Sequence, residues 1–229
     1  MVLRAARDGA AEGFCCLAEE QTAGRGRQGR SWLAPPGSAL LTSVLLRRSP
    51  AVATGVPFAA GLAVVEALAA TCGVDAALKW PNDVLVRGRK LAGILSEVEP
   101  GASSATEVAV ALGLGLNLTV NAFPADVAGT SLHMLTAQPP SAVTLLIAWL
   151  DGVADRLAIL ERNGLPPIID EWRRSAVGLG GPVTVHGPEG SFEGIAVDVG
   201  DDGALLVRSG AEVRRVLAGD VHLGSATSG

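Results

Sequence analysis

Apolar and polar positions follow three textures along this chain, and each predicts a different kind of element. Ser38 to Arg47 and residues 106–118 are apolar almost without interruption over a strand's length, which predicts two strands. Phe14 to Ala18 predicts a further buried strand. Residues 76–80, 83–87 and 90–99 are strand-like pieces separated by Pro81-Asn82 and Arg87-Gly88, ordinary hairpin punctuation. Helical texture appears at residues 2–8, ended by Gly9, and at 54–71, an Ala/Val/Leu segment whose Glu66 can face water. It returns at 143–162, where Leu146, Leu150, Val153, Leu157 and Leu160 share one core-facing stripe, and after Pro166-Pro167 in a short helix carrying Trp172. Residues 119–142 read as a Pro/Gly/Ser/Thr-containing connection. Beyond Gly178 the texture changes to short strands, 183–185, 194–199, 205–207 and 213–217, cut by Gly-rich turns as in a small barrel. The expected fold class is α+β, a mixed sheet flanked by helices over 1–177 and a small β-barrel over 178–229.

Composition narrows what such a fold does. The 229 residues with 48% hydrophobic content build a core without staples, and a net charge of −5 offers no global attraction to nucleic acid or anionic lipid. Any anion binding is therefore local. Three cysteines form no CxxC pair, which fits a reducing cytoplasm, and three scattered histidines give no zinc spacing, so no metal ligands are assigned. No stretch has the pattern of a signal peptide or a membrane span.

Two segments concentrate candidate chemistry. Of eighteen Lys and Arg residues only Lys79 and Lys90 are lysines, and they bracket the run from Lys79-Trp80-Pro81-Asn82-Asp83 to Lys90-Leu91-Ala92-Gly93. A lysine supplies a compact point charge that the planar guanidinium does not. In Gly24-Arg25-Gly26-Arg27-Gln28-Gly29-Arg30-Ser31-Trp32, glycines permit unusual backbone angles and arginines present donor forks to a phosphate or carboxylate. Arginine with glycine also describes RNA-binding tails, but this segment lies between strand-like runs of an acidic chain whose four tryptophans are scattered.

Taken together, GRGRQGRSW at 24–32, KWPNDVLV at 79–86, KLAGIL at 90–95 and GLGLNL at 113–118 resemble the biotin protein ligases, in the family's order and over nearly the whole chain. The resemblance implies a class II synthetase-like catalytic fold with an SH3-like C-terminal domain. It implies that biotin and ATP form biotinyl-5′-AMP, with Mg2+ accompanying ATP, and that biotin passes to a lysine on a biotin carboxyl carrier domain of an acyl-CoA carboxylase. By resemblance Gln21, Gly24, Arg25, Lys90 and Gly93 bind biotin, and Arg27, Arg30, Trp32, Lys79 and Asn117 bind ATP or the adenylate. Lys90, Arg27 and Asp83 are the implied catalytic residues: Lys90 bridges carboxyl and α-phosphate, the arginine loop retains the adenylate, and Asp83 orients the incoming amine. No nucleic-acid or membrane partner is expected, and either a monomer or a homodimer fits.

The family's catalytic domain begins with a strand and a Ser-Thr-Asn turn that contacts biotin, whereas Met1 to Gly13 resembles only the helix after that turn. The alternative expectations are accordingly an impaired or non-catalytic biotin or carrier binder, and a lipoate-type acyl ligase of related fold.

Overall fold

Long apolar strands end up where both faces are covered, and here that is the middle of a sheet. The computed structural model describes residues 1–125, 127–187 and 190–224. Six strands, β1 (Cys15–Ala18), β2 (Ala39–Arg48), β3 (Ala77–Lys79), β4 (Asp83–Val86), β5 (Arg89–Glu99) and β6 (Val108–Asn117), form one sheet in the order β1-β2-β6-β5-β4-β3. Every ladder in it is antiparallel, and parallel pairing enters only as isolated bridges, Leu78 with Ala176 and Lys90 with Gly129.

The register assigns each residue a side. Leu40, Val44, Leu112, Leu114, Leu116, Ala92 and Ile94 face a helical layer of α2 (Pro50–Ala53), α3 (Val56–Cys72), α4 (Ala142–Asn163) and α5 (Pro166–Ser175). α3 is apolar nearly all round because it lies between the sheet and α4, and Gly152 makes that crossing close: a Cβ there would stand 3.1 Å from that of Ala63. On α4 the predicted stripe is flanked by Leu145 and Trp149, both fully buried, and the Trp149 indole donates to the Ala60 carbonyl at 3.2 Å. Glu66 does face water, and it also accepts from Arg156 at 2.6 Å.

The opposite side of the sheet is covered only at one end, where α1 (Val2–Arg7) packs Val2 and Ala6 on Leu45, Ala109 and Ala111. The rest of that side carries Gly113, Gly115, Asn117, Gly93 and Asp83, and is left for the site. Contrary to the expectation from its apolar texture, Phe14 to Ala18 is not a buried strand: β1 is the edge, hydrogen-bonded to β2 alone, with Phe14 40% and Leu17 54% exposed. An apolar run carries no record of whether the sheet continues beyond it.

The second sheet is β7 (Pro182–Gly187), β8 (Gly190–Val199), β9 (Leu205–Ser209), β10 (Glu212–Val216) and β11 (Asp220–Leu223), antiparallel in the order β10-β9-β8-β7-β11, the small SH3-like unit expected. β11 was not legible because four residues after Gly219 include Asp220 and His222. This sheet packs on the helical layer: Arg173 of α5 donates to the Asp198 and Asp201 carboxylates and to the Val199 carbonyl.

Candidate active site

The alternating sequence Gly113-Leu114-Gly115-Leu116-Asn117 sends its leucines into the core and its glycines and asparagine to the open side. Asp83, Gly93, Gly115 and Leu41 are successive partners across the sheet, so the two glycines form a bare floor beside a carboxylate. Trp32 reaches down onto that floor. A Cβ on Gly115 would stand 2.7 Å from Trp32 Cε2, and one on Gly93 would stand 3.2 Å from Cζ3, so glycine is required for the indole to approach. The indole nitrogen is buried there without a hydrogen-bond partner among the described residues.

Lys90 reaches the same floor through a bulge. In an unbroken strand residues 90 and 93 point to opposite faces, but the register passes from Val84–Ala92 to Leu85–Lys90, leaving Leu91 as the extra residue. Lys90 is thereby turned to the side of Asp83 and Gly93. Its ammonium lies 2.5 Å from Asp83 Oδ1 and 5.6 Å from the Trp32 ring centroid. Lys79 approaches the other carboxylate oxygen at 3.5 Å, so one carboxylate sits between two ammonium groups. The hairpin that carries them is tight: Arg87 and Gly88 take φ of 51° and 74°, the two-residue turn that matches strand twist. Asn82 secures its other end, donating to the Ile94 carbonyl at 2.6 Å.

The glycine–arginine segment folds back on itself over the floor. Trp32 N–H donates to the Gly24 carbonyl at 3.1 Å, Arg25 bridges Ser31, and Gly26 N–H donates to the Arg30 carbonyl at 2.6 Å, with a 3-10 turn over Arg27–Gly29 at the tip. Beside it lies an open cleft of about 630 Å³, lined by this loop together with Leu95, Glu97 and Ala218 and not by Trp32, Asp83, Lys90, Gly93 or Gly115. The three arginines have different fates. Arg25 pairs with Glu97 at 3.0 Å and Arg30 with Asp220, whereas Arg27 makes no ion pair among the described residues and lies with its guanidinium 6.0 Å from the Trp80 ring centroid. Burial pushes the Arg27 guanidinium below its ordinary value, and the charges of Asp220 and Asp83 oppose that push.

Of the other predicted site residues, Gln21 is exposed with its amide oxygen beside Gly24, and Asn117 is buried with its amide nitrogen donating to the Thr130 carbonyl at 3.0 Å. The segment holding Thr130 is itself fastened to Lys90, whose N–H donates to the Ala128 carbonyl at 2.7 Å and whose carbonyl accepts from Thr130 N–H at 2.9 Å. No sequence signal announces this strap, nor Glu97 or Asp220, because each is defined by a partner distant in the chain. Among the described residues no group of three or more His, Cys, Asp or Glu side chains could hold a metal ion. What the arrangement offers is a local gathering of cations, Lys79 and Lys90 on Asp83 and Arg27 under the charges of Asp220 and Asp83, in a chain that is acidic as a whole.

Known proteins share both parts of this architecture. A model of the biotin/lipoate A/B protein ligase family matches residues 7–117, and a model of the biotin protein ligase C terminal domain matches 178–224. The biotin–[acetyl-CoA-carboxylase] ligase of Mycobacterium tuberculosis is 39% identical over 97% of this chain and 84% of its own length. A protein of the same name from Paracoccus denitrificans is 37% identical over 91% of this chain and 89% of its own. Among solved structures, the biotin protein ligase from Aquifex aeolicus in complex with biotin and ATP superposes with a TM-score of 0.81 at 27% identity, covering 97% of this chain and 94% of that one.

Proposed function

Since this chain belongs to the biotin protein ligase family, and is a ligase by that membership, we propose that it joins biotin to ATP and then to a carrier lysine through the site just described. The observation that carries this reading is the meeting of Lys90, Asp83 and Trp32 on the Gly93/Gly115 floor beside Arg27. In the first step an oxygen of the biotin carboxylate attacks the α-phosphorus of ATP and the bond to the β-phosphate breaks, giving biotinyl-5′-AMP and pyrophosphate. Two anions must meet, so cations that neutralise both and strengthen as charge shifts toward the leaving group accelerate the step. Lys90 stands where carboxylate and α-phosphate converge; Arg27 and Lys79 take the phosphates.

In the second step the ε-amine of the carrier lysine attacks the acyl carbon, AMP leaves, and the amine's proton passes to a base. Asp83 is the carboxylate at hand. Once phosphate oxygens take over Lys90 and Lys79, Asp83 is released to accept from the incoming ammonium. Trp32 and the loop exclude water from the mixed anhydride. Gln21, Gly24, Arg25 and Gly93 border the biotin end, and Asn117, which donates one amide N–H to the Thr130 carbonyl, offers its amide oxygen to adenine. Mg2+ enters with the phosphates of ATP. The carrier is a biotin carboxyl carrier domain of an acyl-CoA carboxylase, the setting cytoplasmic, and the chain divides into a catalytic unit over 1–177 and an SH3-like unit over 178–229.

The test is biotin-dependent exchange of labelled pyrophosphate into ATP. The parent is expected to exchange, and Lys90→Ala to lose at least about a hundredfold, the scale of removing one charge-stabilising donor, with its melting temperature retained. Exchange that survives Lys90→Ala overturns the role of Lys90. Exchange stimulated by lipoate and not by biotin overturns the substrate.

A further inference from the structure

Trp80 belongs to the KWPND block, yet its side chain is outside the floor where Lys90 and Trp32 meet. It is 4% exposed, its indole N–H donates to the Gly203 carbonyl at 3.0 Å, and its ring lies 6.0 Å from the Arg27 guanidinium carbon. Gly203 sits in the β8–β9 turn with φ of 86°, and a Cβ there would stand 2.6 Å from Phe58 Cε2, so the turn is seated firmly on the helical layer. Phe58 in turn meets Trp172 edge to face with ring centroids 5.8 Å apart. The second sheet therefore holds one edge of Trp80 while its face meets the tip of the arginine loop.

We propose that Trp80 is a positioning residue for Arg27, an aromatic platform set by the Gly203 turn that holds the guanidinium over the cleft without engaging its N–H donors. The three loop arginines differ in what restrains them. Arg25 and Arg30 are fixed by carboxylates, Glu97 and Asp220, and a carboxylate consumes the fork that an anionic ligand would need. Arg27 is the loop arginine that burial costs most, and a desolvated guanidinium needs something favourable beside it. An aromatic face supplies this through its quadrupole, and the guanidinium N–H donors, which make no ion pair among the described residues, stay available to phosphate oxygens. The hydrogen bond to Gly203 fixes the rotation of the indole, so the Arg27 site is complete only with the second sheet docked.

This inference rests on the ligase reading for its consequence, and its test has a readout that does not. Trp80→Leu, Trp80→Phe and Arg27→Gly are made singly, and Trp80→Leu is also combined with Arg27→Gly. Binding of inorganic pyrophosphate is measured by calorimetry, release of preformed biotinyl-5′-AMP by rapid filtration, and folding by thermal melting. Trp80→Leu is expected to weaken pyrophosphate binding and speed adenylate release by about tenfold. Trp80→Phe, which keeps an aromatic face, is expected to recover most of that loss. In the Arg27→Gly background Trp80→Leu should change neither quantity further.

Equal effects of Trp80→Leu with and without Arg27, or a lowered melting temperature with unchanged pyrophosphate binding in the folded fraction, overturn the proposal in favour of plain packing. If Trp80→Leu fails to fold, Trp80→Phe decides: near-parental binding, or a loss that disappears in the Arg27→Gly background, supports the platform, and an equal loss with and without Arg27 overturns it. A parent that binds pyrophosphate but shows no biotin-dependent exchange sinks the ligase reading alone, since the pyrophosphate series still judges Trp80 and Arg27.

Discussion

The smallest residue at the site is as specific as the charged ones. Gly115 has no special φ to satisfy; it is glycine because Trp32 occupies the space a Cβ would take. Gly115→Ala therefore forces the indole off the floor, at a packing cost of about 1–3 kcal/mol. The expected outcome is a Michaelis constant for biotin raised about tenfold in the exchange assay, with the protein still folded. An unchanged constant would show that the indole's contact with the floor is irrelevant to biotin. Of the residues singled out from the sequence, Asp83, Lys90, Gly93 and Trp32 meet on one floor in the fold, and Arg27 lies beside Trp80. Their partners were not: nothing near Arg25 announces Glu97, and nothing near Asn117 announces Thr130.

Among the elements, strands and helices follow their apolar textures to within a few residues, because period and length are local properties. Side assignment is not. A single extra residue, Leu91, turns Lys90 to the face of Asp83, and a bulge leaves no mark in the apolar pattern. The same applies to how α1 is held. Glu99, at the end of β5, accepts from the Arg7 guanidinium and the Gly101 N–H, and these bonds hold its carboxyl below the ordinary range. A carboxyl lowered on folding stabilises the native state fully above its unfolded value, and that contribution is lost as pH falls through the native value. Glu99→Gln is therefore expected to melt below the parent at pH 6 to 7, the gap closing as pH falls past the ordinary carboxylate range of about 4. A gap that widens on acidification would refute this account of α1.

Across the whole molecule, the site is assembled from pieces far apart in the chain. Asp220, on the last strand, pairs with Arg30 of the loop 190 residues earlier, and Trp80 reaches Gly203 across 123. Asp220→Asn removes the charge that restrains Arg30. Because Arg30 is more than half exposed, the ion pair is worth about 1 kcal/mol or less, so adenylate should dissociate a few-fold faster than from the parent at low salt. That difference should shrink as salt rises, since exposed pairs are screened; a release rate unaffected at any ionic strength would show that the second sheet does not restrain the loop through this pair. Most of the elements, the change of texture after Gly178 and the residue types that carry charge to the site were already written in the linear chain, because periodicity, turn chemistry and motif spacing act over a few residues; β11 was the exception. Which strand is an edge, which face each charge takes, and which arginine keeps its donors free were settled only when the chain folded. Those outcomes depend on register and on contacts between residues a hundred or more positions apart, and no local pattern encodes them.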